Sequence, residues 1–127
     1  MSKLRIFTVV WGDNHLDWFE RACIKSLCWP QNAHAIKDAI WTIFTKQKDL
    51  PRAKLLIEKT GVKNIEFAAI SEGVQGNSPQ MGAVLLQCLL TMMDASIGDG
   101  SKVLMAPPDT IFGEGTINSL LIAGKQK

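Results

Sequence analysis

Apolar residues fall into short continuous runs along this chain, separated by stretches where they recur every three or four positions. The run LRIFTVV, residues 4–10, is rich in β-branched side chains. Such a run suits a strand buried on both faces, as in a parallel sheet covered by helices. After the turn WGDNH, the stripe Leu16, Phe19, Cys23 and Leu27 has helical spacing. It predicts a helix capped by Asp13 or Asn14 and running to about Cys28, where Pro30 ends it. Asp17 and Glu20 early in it and Lys25 late suit the helix dipole. AIWTIFT, residues 39–45, is a second strand. The loop KQKDLP leads to a helix over residues 51–60, with Pro51 in its first turn and Gly61 as its stop. NIEFAAI, residues 64–70, is a third strand and SEGVQGNSP a long polar loop. A helix over residues 80–97 follows, then the turn GDGS, a fourth strand KVLMA and a short terminal helix over residues 116–124.

Strands alternating with helices predict βαβ units and an α/β fold. The expected architecture is a three-layer α/β/α sandwich with a mostly parallel sheet of about four strands. With 127 residues and no linker or repeat, the chain reads as one domain, residues 1–127. The helix over residues 80–97 is more apolar than a helix with one wet face should be. Either it is sandwiched between the sheet and its neighbours, or another chain or a further segment of this one covers its outer face. The latter admits a homo-oligomer. The apolar ending SLLIAG points the same way, to a domain that continues in a larger protein.

Composition narrows the class. Apolar residues make up 46% and charged residues 20%, as in a soluble globular chain. A net charge of +2 with scattered Lys and Arg argues against a nucleic-acid partner. Cys23, Cys28 and Cys88 are odd in number and lack metal-ligand spacing, so reduced thiols in a cytoplasmic setting are expected. No signal peptide is visible. The segment MGAVLLQCLLTMM is short for a bilayer span and is interrupted by Gln87, so no transmembrane segment is expected.

In open α/β sheets ligands sit beyond the carboxyl ends of the strands, where strand order reverses. The candidate loops are therefore WGDN, TKQKD, SEGVQGNSP and PPDTIFGEG. Asp109 follows two prolines that fix the local backbone. A carboxylate held at a strand end suits Mg²⁺, which takes one or two carboxylates plus substrate phosphates. The plainer alternative is that Asp109 caps a turn, with Thr110 and Gly113 shaping the loop. Glu114 is the other acid close in sequence. In SEGVQGNSP, Asn77 and the start of the following helix are the parts suited to ligand contact. That loop has neither a Walker lysine nor a GxGxxG pattern. His15 reads as a helix-start or surface residue, His34 as a solvent-facing loop residue, and the pair Cys23 and Cys28 as packing. Trp11 can stack on a base, though a tryptophan at a strand end more often packs in the core.

Two segments, IFTVVWGDNHLDWFERACIKSL and NSPQMGAVLLQCLLTMMDASIGDGSKVLMAPPDTIF, together resemble the nucleotide-binding half of GT-A-fold glycosyltransferases. The first has that family's strand, polar turn and helix ending in a Ser-Leu pair, here Ser26 and Leu27. The second is similar to its later helix and the strand leading to an Asp-x-Asp motif. The resemblance implies a nucleotide-diphospho-sugar transferase-like fold and a nucleoside diphosphate sugar as ligand. Trp11, Gly12, Asp13 and Thr45 would border base and ribose, and Asp109 would hold Mn²⁺ or Mg²⁺ on the diphosphate. The metal would act as a Lewis acid on the leaving group. The first acid of the motif is replaced by Pro107, and FTKQKD lacks the acid usual after the second strand. The acceptor-binding half, which carries the catalytic base in inverting members, would follow Asp109, where residues 110–127 stand. The resemblance thus implies either a glycosyltransferase acting on an unknown acceptor or a non-catalytic, truncated binding or assembly module. An unrelated α/β domain of flavodoxin-like type is the third reading.

Overall fold

The computed structural model describes residues 4–74, 79–117 and 119. It is mixed α/β with a four-stranded, all-parallel sheet. The strands are β1 (Leu4–Val9), β2 (Ile40–Lys46), β3 (Asn64–Ile70) and β4 (Lys102–Met105). Their order across the sheet is β3-β2-β1-β4. The helices are α1 (Asp13–Trp18), α2 (Lys25–Leu27), α3 (Pro30–Ile36), α4 (Leu50–Glu58) and α5 (Pro79–Asp99). A π-helical stretch, Phe19–Ile24, joins α1 to α2, and a 3₁₀ turn, Gln47–Asp49, precedes α4.

The strand order explains the two helical layers. The chain steps from β1 to β2 to β3 in one direction, then jumps back past β1 to β4. Parallel crossovers are right-handed, so a reversal of direction moves the crossover to the other face. Alternate strand residues accordingly feed two separate cores. Ile6, Trp41 and Ile43 pack with Leu16, Phe19, Cys23, Leu27, Ala53 and Ile57, from α1, the π-helical stretch, α2 and α4. Phe7, Val9, Phe44 and Ile70 pack with Cys88 and Met92 of α5. The stripe read from the sequence, Leu16, Phe19, Cys23 and Leu27, is fully buried. Edge-to-face aromatic pairs stiffen each core: Phe19 on Trp41 with centroids 6.1 Å apart, and Phe7 on Phe44 at 6.3 Å. Such pairs add about 0.5–1.5 kcal/mol each beyond area burial.

Several local expectations are corrected. Pro30 opens α3 instead of merely ending the preceding helix, because a proline at the first helical position loses no hydrogen bond. His34 therefore lies on a helix, not in a loop. Neither Asp13 nor Asn14 is the N-cap of α1; Gly12 is, without a side-chain cap. α5 runs to Asp99, farther than expected, and its end is tied to β1 by Arg5, whose Nε donates to Asp99 Oδ2 at 3.0 Å. By length and composition, Met81–Asp99 suffices to cross a membrane, with a mean hydropathy of 1.5. One stripe of it packs on the sheet. Leu86, Leu89, Leu90, Met93 and Ile97 stay between 37% and 83% exposed. Of the terminal helix, Thr116, Ile117 and Ser119 are described and helical; the rest lies outside the described residues.

Candidate functional site

The strand order reverses between β1 and β4, so the crevice favoured for ligands lies where those two strands end. They run parallel, with Phe7 paired to Met105. The loops after them, Trp11 to Asp13 and Pro107 to Asp109, thus leave the same end of the sheet from neighbouring strands.

The Asp109 loop is held at both ends. At its start, Ala106 N–H donates to Phe7 O at 2.9 Å. The buried hydroxyl of Thr8 donates to Ala106 O at 2.8 Å and accepts Trp41 Nε1–H at 3.0 Å. Pro107 and Pro108 then restrict the backbone. Asp109 lies exposed in a turn closed by Thr110 N–H to Pro107 O at 3.1 Å. Beyond it, Phe112 N–H donates to buried Ser26 Oγ at 2.9 Å. Asn32 Nδ2, also buried, reaches Ser26 O, Phe112 O and Gly113 O at 3.0–3.2 Å. Glu114 accepts the N–H of Gln31 at 2.6 Å, in the first turn of α3. Ser26 and Asn32 are functional in this positional sense. The sequence marked Ser26 as half of a Ser-Leu pair but gave no sign of what it holds.

The β1 loop has its own anchor. Gly12 adopts φ 87° and ψ 150°, a region that residues with a side chain scarcely enter. This lets the chain turn straight from strand into helix and aims Gly12 N–H at Asp49 Oδ2, 2.9 Å away. Asp49 is buried at the end of the 3₁₀ turn. FTKQKD therefore does supply an acid to the first loop, three residues past the strand. The sequence hid it because only the turn folds it back. Asp13 is drawn elsewhere: Arg52 of α4 reaches its carboxylate at 3.3 Å and also pairs with Asp17. Trp11 is half-buried against the α5-side core, and the Lys46 ammonium sits 5.2 Å from its ring centre.

Thr45 faces the opposite layer. It lines a recess of about 270 Å³ with Gln47, Leu50, Phe67, Ala68 and Ala69, and its buried Oγ1 has no hydrogen-bond partner among the described residues. A larger recess, about 460 Å³, opens at the amino ends of β2 and β3, lined by Asp38, Lys63 and Glu66 among others. That end of a parallel sheet is the wrong one for ligand loops. Trp11, Gly12 and Asp109 thus follow neighbouring strands at the same end of the sheet, with Trp11 against the α5-side core and the Asp109 loop tied to Ser26 and Asn32 of the other layer, while Asp13 and Thr45 turn toward α4. Asn77 lies outside the described residues.

Among the described residues, no three His, Cys, Asp or Glu side chains converge as a metal-binding group. Asp109 carries no ion pair or hydrogen bond there, while Glu114, Asp49 and Asp13 are engaged as above. One open carboxylate fits a cation that arrives with a phosphate ligand. The thiols are packing groups: burial pushes Cys23 up to about 12 and raises Cys28 and Cys88. Raised thiols are poor nucleophiles. No protein-family model, curated protein or solved structure matches this chain.

Proposed function

We propose that this chain is a GT-A-like domain that binds a nucleoside diphosphate sugar between the β1 and β4 loops. The observation that carries the reading is the adjacency of those loops at the reversal point of a parallel sheet. Gly12 and the Trp11 ring border the nucleoside, and Asp109 holds Mn²⁺ or Mg²⁺ on the diphosphate. When bound, the cation supplies Lewis-acid stabilisation of the nucleoside diphosphate leaving group. The residues of this chain hold that loop in place: Thr8, Ser26 and Asn32 fix the backbone on either side of Asp109.

The test is thermal denaturation with UDP or GDP, with and without Mn²⁺. A ligand at a hundredfold its Kd stabilises by about 2.7 kcal/mol. The reading fails if no nucleoside diphosphate at millimolar concentration moves the melting temperature. A second reading, a binding or assembly module without turnover, is favoured by the exposed apolar side chains of α5. Sugar transfer or donor hydrolysis by the purified chain would exclude it.

A further inference from the structure

Lys46 ends β2 and is 7% exposed, an unusual setting for a lysine. It has three N–H donors. The acceptor it meets is the carbonyl of Glu72, 3.1 Å away, and the Trp11 ring lies under it. No carboxylate side chain pairs with it. All 12 Asp and Glu residues of the chain are among the described residues, so none can be hidden elsewhere. The two nearest in sequence or space are turned to other partners. Asp49 accepts Gly12 N–H, and the Glu72 carboxylate accepts Lys48 N–H at 3.4 Å.

A buried charge without a counter-charge is costly, and proteins otherwise pair it. The position has meaning as well. Lys46 stands beside Trp11, two residues past the Val9 to Phe44 pair, at the carboxyl ends of β1 and β2. The 21-residue helix α5 follows β3 and opens at this same end, with no acidic residue in its first turn. A helix N-terminus adds partial positive charge. The carboxyl end of the sheet thus presents two positive features on the α5 side, while the Asp49 and Glu72 carboxylates at that end accept from backbone N–H groups and not from Lys46.

We propose that Lys46 is the receptor for a phosphate group at this end of the sheet, acting without a metal. On the reading above, on which this assignment rests, the group is one phosphate of the nucleoside diphosphate. A free pyrophosphate shares the chemistry. The sequence marks TKQKD as a candidate ligand loop but does not single out Lys46 within it.

The experiment titrates inorganic pyrophosphate, UDP, GDP and uridine into the full chain in EDTA, followed by tryptophan fluorescence and calorimetry. The variants are Lys46→Met, which keeps the aliphatic stem, and Lys46→Arg, which keeps the charge. Lys46→Met gives up the bond to Glu72 O and the Trp11 contact, so urea denaturation checks that each variant is folded before binding is compared. The expected result is binding of the phosphates but not of uridine, weakened at least tenfold in Lys46→Met and less than threefold in Lys46→Arg. The assignment is overturned if Lys46→Met binds every phosphate as tightly as the parent, or if none binds in EDTA. Mn²⁺-dependent UDP or GDP binding undiminished in Lys46→Met sinks this proposal and leaves the donor site standing. Lys46-dependent pyrophosphate binding, with no added affinity from any nucleoside, upholds the anion site and sinks the donor reading.

Discussion

Thr8→Val tests how the β4 end is held. The Thr8 hydroxyl is fully buried and joins three strands, accepting from Trp41 of β2 and donating to Ala106 after β4. Valine fills the same space but leaves a buried indole N–H and a buried carbonyl without partners. Each orphaned group costs about 1–3 kcal/mol, so the substitution should cost about 2–6 kcal/mol. A domain of this size has roughly 5–15 kcal/mol of stability in total. The melting temperature should fall by on the order of 10 °C. Urea denaturation followed by circular dichroism measures the loss. A double-mutant cycle with Trp41→Phe isolates the indole bond: Thr8→Val should cost at least about 1 kcal/mol less in the Trp41→Phe background. A loss under about 0.5 kcal/mol, or strict additivity in the cycle, would show that the hydroxyl bridge does not hold the strand ends together.

Other consequences are simpler to check. Ser26→Ala orphans the Phe112 amide and should cost about 1–3 kcal/mol, with faster hydrogen exchange at Phe112 and nearby amides of the Asp109 loop. Gly12→Ala forces a side chain into a backbone region reserved for glycine and should destabilise by about 1–3 kcal/mol in urea titration. Cys23 is raised from 9.0 to about 12 in the folded chain. Its contribution is complete below pH 9 and is lost as pH rises toward 12, so stability should decline across that window. A Cys23→Ala variant should show a shallower decline. At pH 8 a thiol reagent should modify exposed Cys28 first and reach Cys23 only on unfolding.

The strands and the first helix stripe were legible because burial imposes a period. Leu16, Phe19, Cys23 and Leu27 recur as a helix requires, and Leu4 to Val9 is apolar because both sheet faces are covered. α3 was not legible: PQNAHAI offers one large apolar anchor, Ile36, and its proline reads equally as an end or a beginning. The π-helical stretch was invisible because it keeps the same residues inward. At the candidate site, Asp109 stood out by its prolines. Asp49 and Lys46 did not, since a charged residue in a polar loop looks solvated until a turn folds it back or a neighbouring strand covers it. Asn32 was silent for the same reason. Its three carbonyl partners come from residues 26, 112 and 113, brought together only by the fold.

We propose that the loops after β1 and β4 form one nucleotide–metal crevice. The decisive measurement is paramagnetic line broadening by Mn²⁺ in the presence of UDP or GDP, read on the amide spectrum of the full chain. Broadening should centre on Asp109 and Thr110, extend to Trp11 and Gly12, be abolished by Asp109→Asn, and be absent without nucleotide. Broadening centred instead on the recess at the amino ends of β2 and β3, or unchanged in Asp109→Asn, would contradict it.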